Sequence, residues 1–333
     1  PYSSGYQSML INAGETKNVG VELTVNTVNF STKKFSWNTT LTLSHNKNSV
    51  KALTGEAVQL YEARFGFNQN THRIAVGEPL GQFYGYITEG LYQVDDFNYD
   101  ASTQTYTLKD GVPYHGDKGQ IRPGMWKFKN LTGDDNVIDE NDKTVIGNAQ
   151  PKFYGGLNNS FTYKGFDLSI FLTFSYGNEV LNATKLVTSK VGSLNYNALD
   201  VMNSSNRWMT INSDGQKVTD PGELAALNVG KTVAAYHDAQ QGDNYIHSWA
   251  VEDASYLKLS NVTLGYTFPK NLIARVGLKN LRLYATGNNL LTWTKYSGFD
   301  PEVSTMKSGL TPGVDFGAYP LSRSFIFGLN VAF

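Results

Sequence analysis

Val19-Gly20-Val21-Glu22-Leu23-Thr24-Val25-Asn26 puts an aliphatic side chain at every second position, with Gly, Glu, Thr and Asn between them. A period of two is that of an extended strand, whose successive side chains point to opposite faces. The pattern returns where Phe35, Trp37, Thr39, Leu41 and Leu43 alternate with Ser36, Asn38, Thr40, Thr42 and Ser44. It returns again where Phe325, Phe327, Leu329, Val331 and Phe333 alternate with Ser324, Ile326, Gly328, Asn330 and Ala332. In each segment one face suits hydrocarbon and the other is mostly small or polar. That dyad is expected of a transmembrane β-barrel with lipid outside and a wet lumen inside. A soluble β-sandwich alternates too. A surface β-sandwich module for binding or adhesion, with no transport, therefore stands as the alternative.

The 333 residues suffice for one large all-β domain or two medium ones. Only 17% of residues are charged, yet no uninterrupted apolar run reaches the ~18 residues of a spanning helix. A formal net charge of −1 gives no concentrated basic surface for nucleic acid. With no cysteine there is neither a disulfide framework nor a thiolate metal site, which fits an oxidising periplasm. Pro1-Tyr2-Ser3-Ser4-Gly5 lacks the basic start and apolar stretch of a signal peptide, and the chain does not begin with Met. The chain thus reads as a fragment or processed piece, with any export signal upstream.

Connection lengths favour the barrel. Short links such as Ser31-Thr32-Lys33-Lys34 and Lys164-Gly165 alternate with long polar stretches at 46–70, 89–152, 178–252 and 297–321. Outer-membrane barrels have short periplasmic turns and long extracellular loops, whereas sandwiches place turn signals at both ends. Nine strands are expected, near 18–30, 35–45, 71–78, 82–88, 153–163, 166–177, 254–268, 279–291 and 322–333. If the last strand ends in the periplasm, all four long stretches fall outside. The links 31–34, 77–81, 164–165 and 269–278 then fall inside. Nine strands cannot close with antiparallel neighbours throughout, and an open edge is costly in lipid. The fold class is therefore all-β, an antiparallel transmembrane barrel segment belonging to something larger. Within 254–268, Leu257 and Leu259 share one parity while Val262, Leu264, Tyr266 and Phe268 take the other. That switch predicts a bulge near Ser260-Asn261.

Several local signatures resemble the SusC/RagA family of TonB-dependent outer-membrane transporters. They are the run from Val251 to Pro269 (VEDASYLKLSNVTLGYTFP), Leu283-Tyr284-Ala285-Thr286-Gly287-Asn288-Asn289-Leu290, and Tyr296 to Val303 (YSGFDPEV). Asn18-Val19-Gly20-Val21-Glu22 and Phe83-Tyr84-Gly85-Tyr86 look like further landmarks of that family. Tyr163-Lys164-Gly165-Phe166-Asp167-Leu168-Ser169 matches a recurrent periplasmic turn, and Phe333 looks like the terminal aromatic used in barrel assembly. The resemblance implies a barrel of about 22 strands, the plugged size class, and import of oligosaccharides or peptides energised through TonB. It also implies a SusD-like surface lipoprotein closing over the outer face, and an amino-terminal plug that is absent from these residues.

Two stretches suggest sites. Asn130-Leu131-Thr132-Gly133-Asp134-Asp135-Asn136-Val137-Ile138-Asp139-Glu140-Asn141-Asp142 spaces oxygen ligands as a hard cation such as Ca²⁺ requires. Asn130, Thr132, Asp134, Asp139 and Asp142 are the candidate ligands, although the spacing departs from the EF-hand pattern. No cofactor is otherwise required. Aromatics in the outer stretches offer flat surfaces for sugar rings or apolar peptide side chains, and Trp208, Tyr245 and Trp249 lead that set. Signals for catalysis are lacking. The five histidines form no HExxH, no G-x-S-x-G occurs, and Ala225 stands where a phosphate loop ending at Gly230-Lys231-Thr232 needs its first Gly. An enzyme is not expected.

Overall fold

The computed structural model describes residues 14–55, 57–62, 69–133, 135–189, 197–235, 245–306 and 308–333. Seven of the expected strands form. They are β1 (Gly14–Ser31), β2 (Phe35–Leu53), β3 (Phe153–Tyr163), β4 (Phe166–Tyr176), β5 (Tyr256–Thr267), β6 (Asn280–Thr294) and β7 (Ser324–Ala332). These make one seven-stranded sheet in chain order, every neighbouring pair antiparallel. Up-and-down order follows from the short links. Lys164 and Gly165, with φ of 46° and 91°, supply the two left-handed residues of a tight hairpin.

Register carries the face parity from strand to strand. Val25, Leu41, Leu157, Leu172, Leu259 and Leu291 form one aliphatic row across six strands. Toward the short links come Thr27, Thr39, Asn159, Ile170, Val262 and Gly287, next Phe30, Trp37, Phe161, Leu168, Leu264, Ala285 and Phe327, and then Phe35, Tyr163, Phe166, Tyr266, Leu283 and Leu329. Toward the long loops lie Leu23, Leu43, Phe174, Leu257 and Trp293, with Phe153 and Tyr176 beyond. Trp37 stacks on Phe161 with ring centroids 5.7 Å apart, and Phe153 on Tyr176 at 4.9 Å. A mainly aliphatic middle, with Thr27, Thr39 and Asn159 bonded to one another's strands, between two aromatic girdles is the profile of a lipid-facing barrel surface. This face stays open, with Val21 70% and Phe327 81% exposed. A sandwich would bury it under a second sheet, and none covers it among the described residues.

The opposite face is polar and hydrogen-bonded across strands. Ser169 Oγ donates to Asn158 Oδ1 at 3.1 Å, and Asn261 Nδ2 donates to Asn288 Oδ1 at 2.7 Å. Arg282 Nε donates to Asp167 Oδ1 at 3.0 Å, over Gly265, where a Cβ would lie 2.6 Å from both carboxylate oxygens. The expected bulge is present. Leu259 pairs with Leu172 but Asn261 with Phe171, so Ser260 has no partner on β4. On β6 the same shift is absorbed by Asn289 and Leu290, Asn289 adopting φ of 52°. The inserted residue moves the apolar set from one parity to the other and keeps it on the lipid face.

Two of the nine expected strands do not belong to this wall. The segments 71–78 and 82–88 become Asn70–Ala75 and Gln82–Gly85, inside a separate four-stranded sheet with Val58–Glu62 and Thr144–Asn148. At ~3.3 Å per residue such short strands cannot cross an apolar band ~25 Å tall. Their side chains are also buried on both faces rather than on one. The expected outer loops 46–70 and 89–152 are therefore one loop, 54–152, with no inner turn at 77–81. The other long connections are 177–255 and 295–323, leaving three short links on the opposite side.

The buried core lies in these long loops. Among the described residues, the four buried apolar clusters draw on the loops and on none of the seven wall strands. Phe83, Leu181, Ile246 and Val314 meet in one of them, so all three loops interlock. Glu179–Asn182 pairs with Val251–Asp253 and, in parallel, with Val314–Asp315.

Candidate site: the folded outer loops and the cleft at the wall

Trp208, Tyr245 and Trp249 come together in the loop layer, Trp208 in its interior and Tyr245 and Trp249 partly exposed beside it. Trp208 is only 2% exposed and packs with Tyr86, Trp126, Phe128 and Leu224. Its ring occupies the space beside Gly124, where a Cβ would sit 2.4 Å from Trp208 Cδ1 and where φ is +86°. Tyr245 meets Tyr86 edge-on at 5.2 Å and Phe128 at 5.8 Å. Trp249 lies 4.9 Å from Trp126 and carries Lys185 Nζ 4.1 Å above its ring. Lys185 also pairs with Glu252 at 3.0 Å, both largely shielded from water, and Ser297 N and Oγ each donate to Glu252 at 2.9 Å. Burial alone would raise the Glu252 carboxyl, but the Ser297 N–H and the Lys185 ammonium outweigh it and hold it below its usual range.

The acidic loop is organised around a carboxylate. Asp142 is fully buried, and its Oδ1 accepts from Leu131 N (2.7 Å), Thr132 N (2.9 Å) and Thr132 Oγ1 (3.2 Å). Its Oδ2 accepts from Asp139 N at 2.8 Å. Burial pushes the Asp142 carboxyl up, but the N–H donors of Asp139, Leu131 and Thr132 carry it below its usual range. Asp139 in turn caps Asn141 N at 2.7 Å, and Asn130 Nδ2 donates to Asp135 O at 2.8 Å. Thr132 and Asp139 line a shared open depression, which Asn130 and Asp142 do not reach. Asp134 lies outside the described residues. Among those described, no three His, Cys, Asp or Glu side chains are grouped as metal donors.

Two buried histidines clamp the loops. His72 Nε2 donates to Pro312 O at 2.9 Å, joining loop 54–152 to loop 295–323. Burial lowers its pKa to about 4, partly opposed by that hydrogen bond. His247 is enclosed by Trp126, Phe128 and Trp249, and bonds Thr88 Oγ1 through Nδ1 at 2.8 Å. Burial, then the charge of Lys185 and the proximity of His115, lower its pKa to about 3. Both are neutral in the fold but take up a proton when unfolded below about pH 6.5. The layer should therefore lose stability as pH falls from about 6.5 toward 4, by up to roughly 3 kcal/mol per histidine. Protease sensitivity of the outer loops measured from pH 7.5 to 4.5 checks this. His72→Gln should flatten the curve, and a pH-independent wild type would contradict the assignment.

A cleft of about 400 Å³ opens where loop 295–323 folds back over the polar face of β3 and β5. Tyr154, Tyr256, Pro301, Glu302 and Pro312 line it. Tyr256 donates its hydroxyl to Glu302 Oε1 at 2.6 Å, and Lys258 forms an ion pair with the same carboxylate. Aromatic rings beside a fixed charge pair give a site both flat apolar surface and oriented polar groups. Sequence reasoning missed this cleft, although Tyr256 and Lys258 stand at lumen parity, alternating with Leu257 and Leu259.

A single-sheet wall with an apolar exterior, a polar interior and folded outer loops defines an outer-membrane β-barrel segment. No family model matches the chain. It is 34% identical to TonB-dependent receptor P3 of Formosa agariphila over 340 residues, covering 100% of this chain and 30% of that protein. It is 28% identical to TonB-dependent receptor SusC of Bacteroides thetaiotaomicron, covering 98% of this chain and 27% of that one. The RagAB peptide transporter superposes with a TM-score of 0.68 at 21% identity, over 100% of this chain and 31% of that one. The chain belongs with the TonB-dependent receptors of the bacterial outer membrane, and spans about a third of the length of the curated relatives it matches.

Proposed function

We propose that this chain forms wall and outer loops of an importer that takes up oligosaccharides or peptides, driven through TonB. A plug and further strands complete its barrel, and a SusD-like lipoprotein closes over the interlocked loops. One observation carries the reading: a polar-lined wall topped by a folded loop layer with its own core, whose cleft opens on the lumen side. A bare adhesion module would have no use for a hydrogen-bonded interior face. The names of its relatives are those of receptors, and we assign no reaction to any residue. Substrate contact falls first on Tyr154 and Tyr256 at the cleft, with the exposed edges of Tyr245 and Trp249 next.

The test is uptake by cells carrying or lacking the full-length transporter, offered labelled oligosaccharide and peptide mixtures. Uptake should vanish on deletion and on collapse of the proton gradient. Tyr154→Ala with Tyr256→Ala should weaken it about tenfold or more, as expected for loss of aromatic contacts. Uptake that survives deletion, or ignores the proton gradient, would exclude the proposal.

A further inference from the structure

The three short links have a charge pattern that import does not require. Residues 32–34, 164–165 and 268–279 contain Lys33, Lys34, Lys164, Lys270, Arg275 and Lys279 and no Asp or Glu, in a chain of formal net charge −1. All of these cations are exposed, and none forms an ion pair among the described residues. They follow one another along the sheet's end. Lys164 N donates to Lys34 O at 3.3 Å, Thr267 N to Gly165 O at 2.8 Å, and Lys279 N to Ala332 O at 2.8 Å.

Directly beside them on the lipid face lies the aromatic row of Phe35, Tyr163, Phe166 and Tyr266, with Lys164 Nζ 5.2 Å over the Tyr163 ring. The third link is itself amphipathic. Its helical turns, Lys270–Ile273 and Ala274–Val276, bury Ile273 yet leave Leu272 54% and Val276 72% exposed, between the three cations. Apolar side chains four residues apart, flanked by lysine and arginine, suit the headgroup–acyl boundary rather than open water.

From this juxtaposition we infer that the basic, aromatic inner rim binds anionic phospholipid of the periplasmic leaflet. Phosphodiester headgroups meet the cations, while acyl chains lie on the aromatic row with Leu272 and Val276. A soluble acidic protein would explain the charge but not the exposed apolar residues in line with the girdle. The orientation, short links inward, is shared with the import reading. Lipid selectivity and uptake are nonetheless separate measurements that fail separately.

The test is native mass spectrometry of the full-length transporter in detergent, titrated with phosphatidylglycerol and phosphatidylcholine of identical chains. The unmodified protein should retain phosphatidylglycerol preferentially, and about 0.5 M salt should erase the preference by screening. Each removed cation should weaken phosphatidylglycerol binding about fivefold, first in K33Q/K34Q/K164Q and then in K270Q/R275Q/K279Q. Equal retention of the two lipids by the unmodified protein overturns the inference without any variant. So does unchanged selectivity in folded variants that lack these charges.

Discussion

Replacing Leu157 by Arg should cost about 2–4 kcal/mol of barrel stability, while Arg at the adjacent Asn158 should cost roughly 1 kcal/mol or less. Leu157 sits in the aliphatic row, paired with Leu41 and Leu172, midway between the two aromatic girdles. An arginine there must enter hydrocarbon or drag water and headgroups inward. Asn158 points to the opposite face, where it loses only the 3.1 Å bond from Ser169 and gains a wet environment. Depth is the discriminating variable. Tyr163→Arg, on the lipid face but in the last row before the short links, should cost only about 0–1 kcal/mol. A protein core would punish an arginine at all well-packed positions, whereas a bilayer penalises it by distance from the interface. Denaturant titration of the full-length protein folded into phospholipid vesicles measures all three. Equal losses at 157 and 163, or a larger loss at 158, would remove the assignment of lipid to this face.

The same contrast explains what could be read from the sequence. Lipid imposes one rule on every wall residue, so strands from Val19–Asn26 to Phe325–Phe333 advertise their faces through strict alternation. Even the bulge at Ser260 was legible, because the apolar set of that strand changes parity across it. The loops obey no single solvent. Phe83, Leu181, Ile246 and Val314 form one cluster from three loops at no fixed spacing, and only the folded chain brings them together. Thr71 to Ala75 and Gln82 to Gly85 mimic spans because short buried strands and short amphipathic ones look alike over so few residues. Aromatic abundance in the long connections said nothing about which side of the loop layer each ring faces. Asp142 illustrates a related limit. An oxygen-rich loop suits a cation or a carboxylate collecting its own N–H donors, and composition does not separate the two.

Removing the Trp208 side chain should unlock the outer layer while leaving the wall intact. Trp208 is the largest fully buried side chain of the loops, wedged against Gly124 and anchored where Trp208 N donates to Val233 O at 2.9 Å. Trp208→Ala should destabilise the layer by about 3–5 kcal/mol, the usual cost of deleting a buried aromatic. Gly124→Ala attacks the same contact from the other side. Its φ of +86° is unfavourable for alanine, and its new methyl would meet the indole at 2.4 Å. Backbone strain and overpacking together suggest about 2–4 kcal/mol. Because the buried clusters contain no wall residue, loops and wall should fail independently. Limited proteolysis should therefore cut both variants within 54–152 and 177–255, while heat-modifiable gel migration still reports a folded barrel. The two variants should not add, since each removes the same packing contact. A Trp208→Ala protein that keeps protease resistance but loses substrate binding would reverse the assignment and make Trp208 a ligand contact. Loss of gel-shifted barrel in either variant would mean instead that the wall depends on its loops, against the separation of cores seen here.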